Sequence, residues 1–389
     1  MARYSISNTS QPLPTDNVKP RYPLPLNVTM TFLEENKLEM PPNLEGLYNR
    51  ARRVRIAPIT RSIVSKDNTA TYIAVTSTVN SMSAADQELT VRTSSESEMG
   101  TPLPEYKLLD SGVKVPILVD EEWIKAMKDM KLRPSDVWVV SFPKSGTTWT
   151  MQIVRLINNG GKNDGKILSE VVPWVEAFNS TIPGFEHINV DEMACPRAFK
   201  SHFPYDSMPC GPPNTKLSLG KYIYVVRNPK DVVVSFFHHI NAIPFVAPVK
   251  WDEYFERFIQ GDVAYGNYFD HVLSWWAHKD DDNILILKYE DMKKDLPSVV
   301  AQVAKFIGKD ISKELVDEIA RKTTFVNMKE DSSANFEWMC SDHRSNQNPY
   351  VRKGEVGGWK SFFTSEQNAR MDAIYRKRLT GTGLDLEFQ

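Results

Sequence analysis

Cysteine is scarce in this chain, with only Cys195, Cys210 and Cys340 among 389 residues. Three unpatterned thiols exclude a disulfide framework and a zinc cluster as organising elements, and they fit a reducing compartment. Long apolar runs are absent too. No stretch approaches the roughly 18 to 20 residues of a membrane span, and the N-terminus lacks the apolar core of a signal peptide. The expectation is a soluble, cytoplasmic protein with no membrane partner. An excess of one charge is also missing: 47 Lys and Arg stand against 49 Asp and Glu, for a net charge of -2. That balance gives no overall case for nucleic acid, so any anion site must be local. What remains is an ordinary globular composition, 41% apolar and 25% charged, enough for one sizeable α/β domain with appendages.

The first hundred residues differ from the rest. Ser, Thr, Asn and Pro are frequent there, periodicity is poor, and "EMPPN" and "SSESEMGTPLPEY" are breakers, so residues 1–104 read as a poorly structured N-terminal extension. Its basic cluster "RARRVRIAP" reads as a solvated charge run. Met82 opens "MSAADQELTVR", where a compact chain of usual length could start. From residue 105 the pattern becomes regular. "DVWVVSF" (136–142), "KYIYVV" (221–226) and "NILILK" (283–288) are short, β-branched apolar runs of the kind found in buried parallel strands. Helical spacing follows each: Trp149, Ile153, Leu156 and Ile157; Val232, Val233, Phe236, Phe237 and Ile240; Val299, Val300, Val303, Phe306 and Ile307. The expected fold is α/β, a parallel β-sheet flanked by helices, with ligands at the carboxyl ends of its strands.

The segment "VVSFPKSGTTWTMQIVRLI" (139–157) passes from strand through a Lys-Ser-Gly turn into a helix. Such a turn aims several backbone N–H groups and the positive end of the helix at one spot, which favours phosphate or sulfate. It is P-loop-like without being the nucleoside-triphosphatase loop. GxxxxGK[ST] places its lysine after the second glycine, whereas here Lys144 precedes Gly146.

Four separated stretches need one explanation: "FPKSGTTW" (142–149), "FKSHFP" (199–204), "VVRNPKDVVVSFFHH" (225–239) and "VRKGEVGGWKSFFT" (351–364). Together, and in this order, they resemble the cytosolic sulfotransferases. The resemblance covers about residues 105–389, the expected sulfotransferase domain, and it implies a sulfuryl donor, 3′-phosphoadenylyl sulfate (PAPS), with 3′,5′-ADP (PAP) as product and no metal requirement. Carried over by position, Lys144, Ser145, Gly146, Thr147, Thr148 and Trp149 form the phosphosulfate loop. Arg227 and Ser235 grip the 3′-phosphate, and Arg352, Lys353 and Gly354 clamp it a second time. Tyr289 in "LKYEDM" and Thr323, Phe325 and Met328 in "KTTFVNM" match adenine-side positions, although each aromatic taken singly reads as core.

His202 in "KSHFP" is the implied base. A neutral imidazole removes the acceptor's proton as its oxygen attacks sulfur, a contribution of about 10² to 10⁴ in rate. Lys200, two residues earlier in an extended segment, points the same way and holds the acceptor or the transferring group. Trp174 and Phe178 in "VVPWVEAFN" match positions lining the acceptor pocket, while His238 and His239 read as packing or surface residues. Two features depart from the family. "GGWK" replaces "GDWK", putting Gly358 where Asp is usual. In the short dimerisation stretch Lys360 and Thr364 remain, but Ser365 stands for Val and Ala369 for Glu, so a homodimer is implied with its usual motif incomplete. The resulting function is sulfuryl transfer to a hydroxyl or amine of a small apolar acceptor such as a phenol, a steroid or another alcohol. The alternatives are a P-loop-type kinase, which requires a magnesium site and a triphosphate loop, and a non-catalytic nucleotide-binding module.

Overall fold

A computed structural model describes three strands within residues 59–94 and, from residue 104 onward, residues 104–178, 189–209, 217, 219–243, 246–336 and 352–389. The basic cluster at 50–58, "EMPPN", Met82, Cys210 and Cys340 lie outside the described residues. The chain divides into two units, Met1–Glu98 and Met99–Gln389.

In the first unit, strands β1 (Ile59–Val64), β2 (Ala70–Thr76) and β3 (Thr90–Ser94) form an antiparallel sheet in the order β1-β2-β3. The composition leads to an expectation of little structure there, and these strands differ from it. "ITRSIV" and "ATYIAVT" are rich in β-branched residues, which suit a pleated surface. The breaker-rich composition around them masks that local preference.

The second unit opens with a hairpin of β4 (Tyr106–Leu108) and β5 (Lys114–Pro116). Its main sheet contains β6 (Val137–Ser141), β7 (Ala198–Ser201), β8 (Lys221–Val226) and β9 (Ile284–Lys288), all parallel, in the order β7-β6-β8-β9. Alternation along the strands feeds two apolar cores. Trp138, Val140, Phe199, Tyr222 and Tyr224 face one side of the sheet, while Val137, Val139, Ala198, Ile223, Val225 and Leu287 face the other.

The three expected strands are present, and each leads into a helix: Thr147–Asn158 after β6, Pro229–Ala242 after β8, and Tyr289–Lys294 then Leu296–Phe306 after β9. The predicted faces are the buried ones. Ile153, Leu156, Ile157, Val232, Val233, Phe236, Ile240, Val299, Val300 and Val303 are buried, with Trp149, Phe237, Phe306 and Ile307 partly so. Because all four strands of the sheet run the same way, their carboxyl ends share one edge.

Candidate active site

Along that edge the strands deliver the predicted residues in a fixed order. β7 leads to His202, β6 to Lys144, β8 to Arg227 and β9 to Tyr289. At roughly 4.8 Å per strand, the row from β7 to β9 spans about 14 Å. One cavity of about 450 Å³ runs along it.

After β6, the chain turns through Lys144, which is held at φ 68°, and Gly146, at φ 116°. Gly146 caps the Thr147–Asn158 helix with no side-chain hydrogen bond, so the amide groups of the first turn have no capping side chain. A glycine is required here. A Cβ at 146 would lie 2.9 Å from Tyr289 Cδ2, in a backbone conformation that side chains disfavour. The Ser141 and Thr147 hydroxyls, 2.6 Å apart, tie the end of the strand to the start of the helix. Lys144, Gly146, Thr147, Thr148 and Trp149 all line the cavity. Ser145 does not: it is fully buried, and its hydroxyl has no partner.

After β8, Asn228 caps the Pro229–Ala242 helix by accepting from Asp231 N at 2.9 Å, with Pro229 in the first turn. Glu290 secures Asn228 through its backbone N–H (2.8 Å) and its Nδ2 (3.0 Å). Arg227 then links three parts of the site. Its guanidinium donates to the Glu355 carbonyl (2.7 Å) and the Lys144 carbonyl (3.4 Å), and it lies 4.1 Å over the Tyr289 ring. Asp231 pairs with Arg227 at 3.7 Å and accepts from Gly357 N (2.8 Å) and Trp359 N (3.0 Å). Asp231 thereby anchors the C-terminal loop on both sides of Gly358.

Arg352, Lys353 and Gly354 line the cavity with Ser235. Gly354 sits at φ 63° against the Phe325 ring, where a Cβ would come within 2.2 Å of Cδ2. Trp149 Nε1 donates to the Thr323 carbonyl at 2.7 Å, and Trp149 meets Tyr289 edge-on at 5.4 Å. Tyr289, Thr323, Phe325 and Met328 complete this end of the cavity.

At the other end, His202 Nδ1 lies 2.7 Å from the Ser141 carbonyl. A carbonyl only accepts, so Nδ1 carries the proton and Nε2 is left as a lone-pair base. Burial and the Lys200 cation hold the His202 pKa well below the ordinary histidine value. The imidazole is therefore neutral near pH 7. His271 supports it from behind: Nε2 donates to the His202 carbonyl (2.8 Å) and Nδ1 accepts from Tyr224 Oη (2.9 Å). Lys200 Nζ lies 4.4 Å over the Trp174 ring, and Trp174 pairs with Lys200 in a parallel bridge beside β7.

Two placements expected from the sequence shift. Phe178 is buried against Trp123 (5.3 Å between centroids) and does not line the cavity, because the backbone turns at Val175–Ala177. His239, expected in packing or at the surface, lines the cavity with Asp231 and Ser235. Its spacing of four residues from Ser235 puts it on the same helical stripe, a signal legible in "SFFHH". Asp231 carries the same signal, four residues after Arg227. Among the described residues there is no cluster of metal-ligating side chains and no helix long and apolar enough to cross a membrane.

Comparison with known proteins gives this cavity its context. Residues 134–383 match the sulfotransferase domain. Over 266 residues the chain is 39% identical to the amine sulfotransferase of Oryctolagus cuniculus, covering 67% of this chain and 86% of that protein. Mouse sulfotransferase SULT7A1 complexed with PAP superposes with a TM-score of 0.58 at 31% identity, over 71% of this chain and 94% of that one. Retinol dehydratase in complex with androsterone and inactive cofactor PAP gives 0.61 at 25% identity, over 74% and 100%. The domain match spans β6 through the C-terminal loop, and all four strand ends that meet at the cavity fall within it. The chain belongs to the sulfotransferase family.

Proposed function

We propose that the cavity binds PAPS along the strand edge and passes its sulfuryl group to a hydroxyl or amine of a small, largely apolar acceptor, with residues 105–389 forming the transferase domain and the cytoplasm its site of action. The observation that carries this reading is the convergence, in one cavity, of an uncapped helix N-terminus with its lysine, an arginine and serine from the next strand-helix unit, and a neutral histidine. The residues fit the donor. Gly146 and Gly354 let the Tyr289 and Phe325 rings pack against the two loops where any side chain would collide, which keeps those rings at the cavity beside the open helix end. Arg227, Ser235 and the Arg352–Gly354 loop suit a 3′-phosphate, and Tyr289, Phe325 and Met328 suit a purine.

In the reaction the acceptor oxygen attacks sulfur, the bond from sulfur to the 5′-phosphate oxygen breaks, and the acceptor's proton passes to His202 Nε2. Lys144 and the first turn of the Thr147–Asn158 helix meet the charge that grows on the leaving phosphate. Ile117, Leu118, Ile243 and Val246 line the apolar end, and the relatives named for an amine acceptor and crystallised with androsterone support a small acceptor there. The homodimer stays a weaker expectation: Thr364 is used as the helix cap of Ser365–Leu379, and Ser365 and Ala369 lack the apolar and acidic groups of the usual contact.

The test is a panel of phenols, steroids, aliphatic alcohols and amines incubated with PAPS, with products read by mass spectrometry. Absence of PAP binding together with magnesium-dependent ATP turnover would overturn the assignment. His202→Asn should keep PAP affinity and lose about 10² to 10⁴ in transfer to aliphatic alcohols, but much less to strongly acidic phenols, which ionise unaided. Because the folded pKa of His202 is depressed, the acidic limb of wild-type kcat/KM should lie below the ordinary histidine range. A limb at or above the ordinary histidine value of 6.5, or equal losses for both acceptor classes, would remove the base assignment.

A further inference from the structure

Behind the cavity, Glu176 is wholly buried in an otherwise apolar turn. Its Oε1 accepts from the His202 backbone N–H (2.5 Å) and from Ser201 Oγ (3.0 Å), while Oε2 is buried with no hydrogen-bond partner. It does not line the cavity. Leaving a carboxylate oxygen unpaired in such a place is costly unless a nearby charge compensates. Lys200 supplies one: its ammonium lies over Trp174, two residues before Glu176, and its backbone N–H donates to the Pro173 carbonyl at 2.8 Å.

We propose that Glu176 is a positioning residue of the transfer reaction, fixing the main chain of His202 and serving as the buried counter-charge to Lys200 at the cavity wall. This rests on the transferase reading given above. The two functions reside on different atoms: Oε1 orients the segment that carries the base, and the net negative charge acts on Lys200.

The surrounding electrostatics agree in sign. Burial lowers the pKa of Lys200 to about 8 against the opposing pull of the Glu176 charge, and burial raises that of Glu176 to about 7 against the hydrogen bonds from His202 and Ser201 and, least of these, the Lys200 cation. Each ion therefore supports the other against desolvation. Other titratable groups nearby are Tyr265, which the Glu176 charge pushes further up, and His202, His239 and His271, all held below the ordinary histidine value by burial. Lys144 also acts on His239. None of these replaces Glu176 as a counter-ion, since the histidines are neutral and the lysine has the wrong sign.

Glu176→Gln separates the functions, because glutamine Oε1 still accepts both hydrogen bonds while the charge is gone. Without the anion, Lys200 loses its proton at lower pH. The alkaline limb of kcat should move acidward by about one to three units, with PAP affinity unchanged and kcat at neutral pH reduced about tenfold or more. A purely structural role predicts a lower kcat with no movement of the limb. That result, or a wild-type profile, would overturn the proposal. Lys200→Met is the second arm, independent of how the glutamine variant folds: it should abolish the alkaline limb, and a retained limb would also overturn the proposal. A wild-type chain that neither binds PAP nor transfers sulfate would fail the transferase reading itself, an outcome distinct from a wild-type enzyme whose Glu176→Gln variant is unshifted.

Discussion

The units that follow β6 and β8 use the same plan, strand to turn to helix, and treat the helix N-terminus in opposite ways. After β6, Gly146 provides no side-chain cap, and the first turn faces the cavity. After β8, Asn228 satisfies the first turn, a proline removes one donor, and Glu290 locks the cap in place. An open helix end offers backbone donors and a partial positive charge to an anion. A capped one leaves fewer free donors, so in the proposed site the hold on an anion at this end would come mainly from side chains, Arg227 and Ser235. The open end therefore suits the phosphosulfate, whose charge changes during transfer, and the closed end suits the constant charge of the 3′-phosphate.

Removing Lys144 should break the open side with the largest effect. Lys144→Ala is expected to lower kcat by about 10² to 10³ with a smaller change in donor affinity, since electrostatic groups aimed at developing charge act mainly in the transition state. Steady-state kinetics paired with PAP calorimetry check this. An unchanged kcat would place the lysine outside the transfer step.

Arg227→Ala should break the closed side in the complementary way, weakening PAP about 10- to 100-fold, the value of a charge-assisted hydrogen bond, with the smaller part of the effect in kcat. Arg227 also joins Lys144, Glu355 and Tyr289, so some loss of kcat through the neighbouring loop is built in. A loss confined to kcat would show that the two ends do not divide the work as their caps suggest.

The cap itself gives a third, smaller effect. Asn228→Ala should cost about 1 kcal/mol of stability, seen as a lowered melting temperature, with Lys144-dependent chemistry intact. Gly146 has no such capping role, and its substitution should instead collide with Tyr289. A large loss of transfer without a loss of stability in Asn228→Ala would mean that the β8 helix end is more than a scaffold.

The fold and the site are most legible in the sequence where a binding feature is contiguous. "FPKSGTTW" and "VVRNPKDVVVS" each carry a strand end, a turn and a first helical turn, so position within the motif fixes position in space, and Gly146, Asn228 and Pro229 behave as their turn chemistry requires. The reaction centre is less legible because it is assembled from separate segments. Trp174 and Lys200 meet only because the 173–177 turn lies beside β7, a strand of four residues too short to announce itself by pattern. The sequence neighbours of Phe178 point it to the acceptor pocket, and the turn directs it into the core. Glu176 carries one signal, a lone carboxylate in "VVPWVEAF", but its partners on β7 and just beyond it lie about 25 residues away in sequence.

The smallest expected effect concerns the first unit. Among the described residues, those lining the cavity lie at or beyond Glu105, and the division into units falls at Glu98 and Met99. A chain starting at Met82 would retain β3 while discarding β1 and β2, its sheet partners, and would leave a strand with unpaired backbone edges. A chain starting at Met99 removes the three strands together. We expect that shorter chain to keep kcat and PAP affinity within about twofold of the full chain, since no group proposed for donor, acceptor or proton transfer is lost. The chain starting at Met82 should match it in kcat per folded molecule but aggregate more readily. Scattering and activity measured side by side test both statements. A folded, monodisperse chain from Met99 that has lost transfer would show that residues 1–98 take part in the reaction.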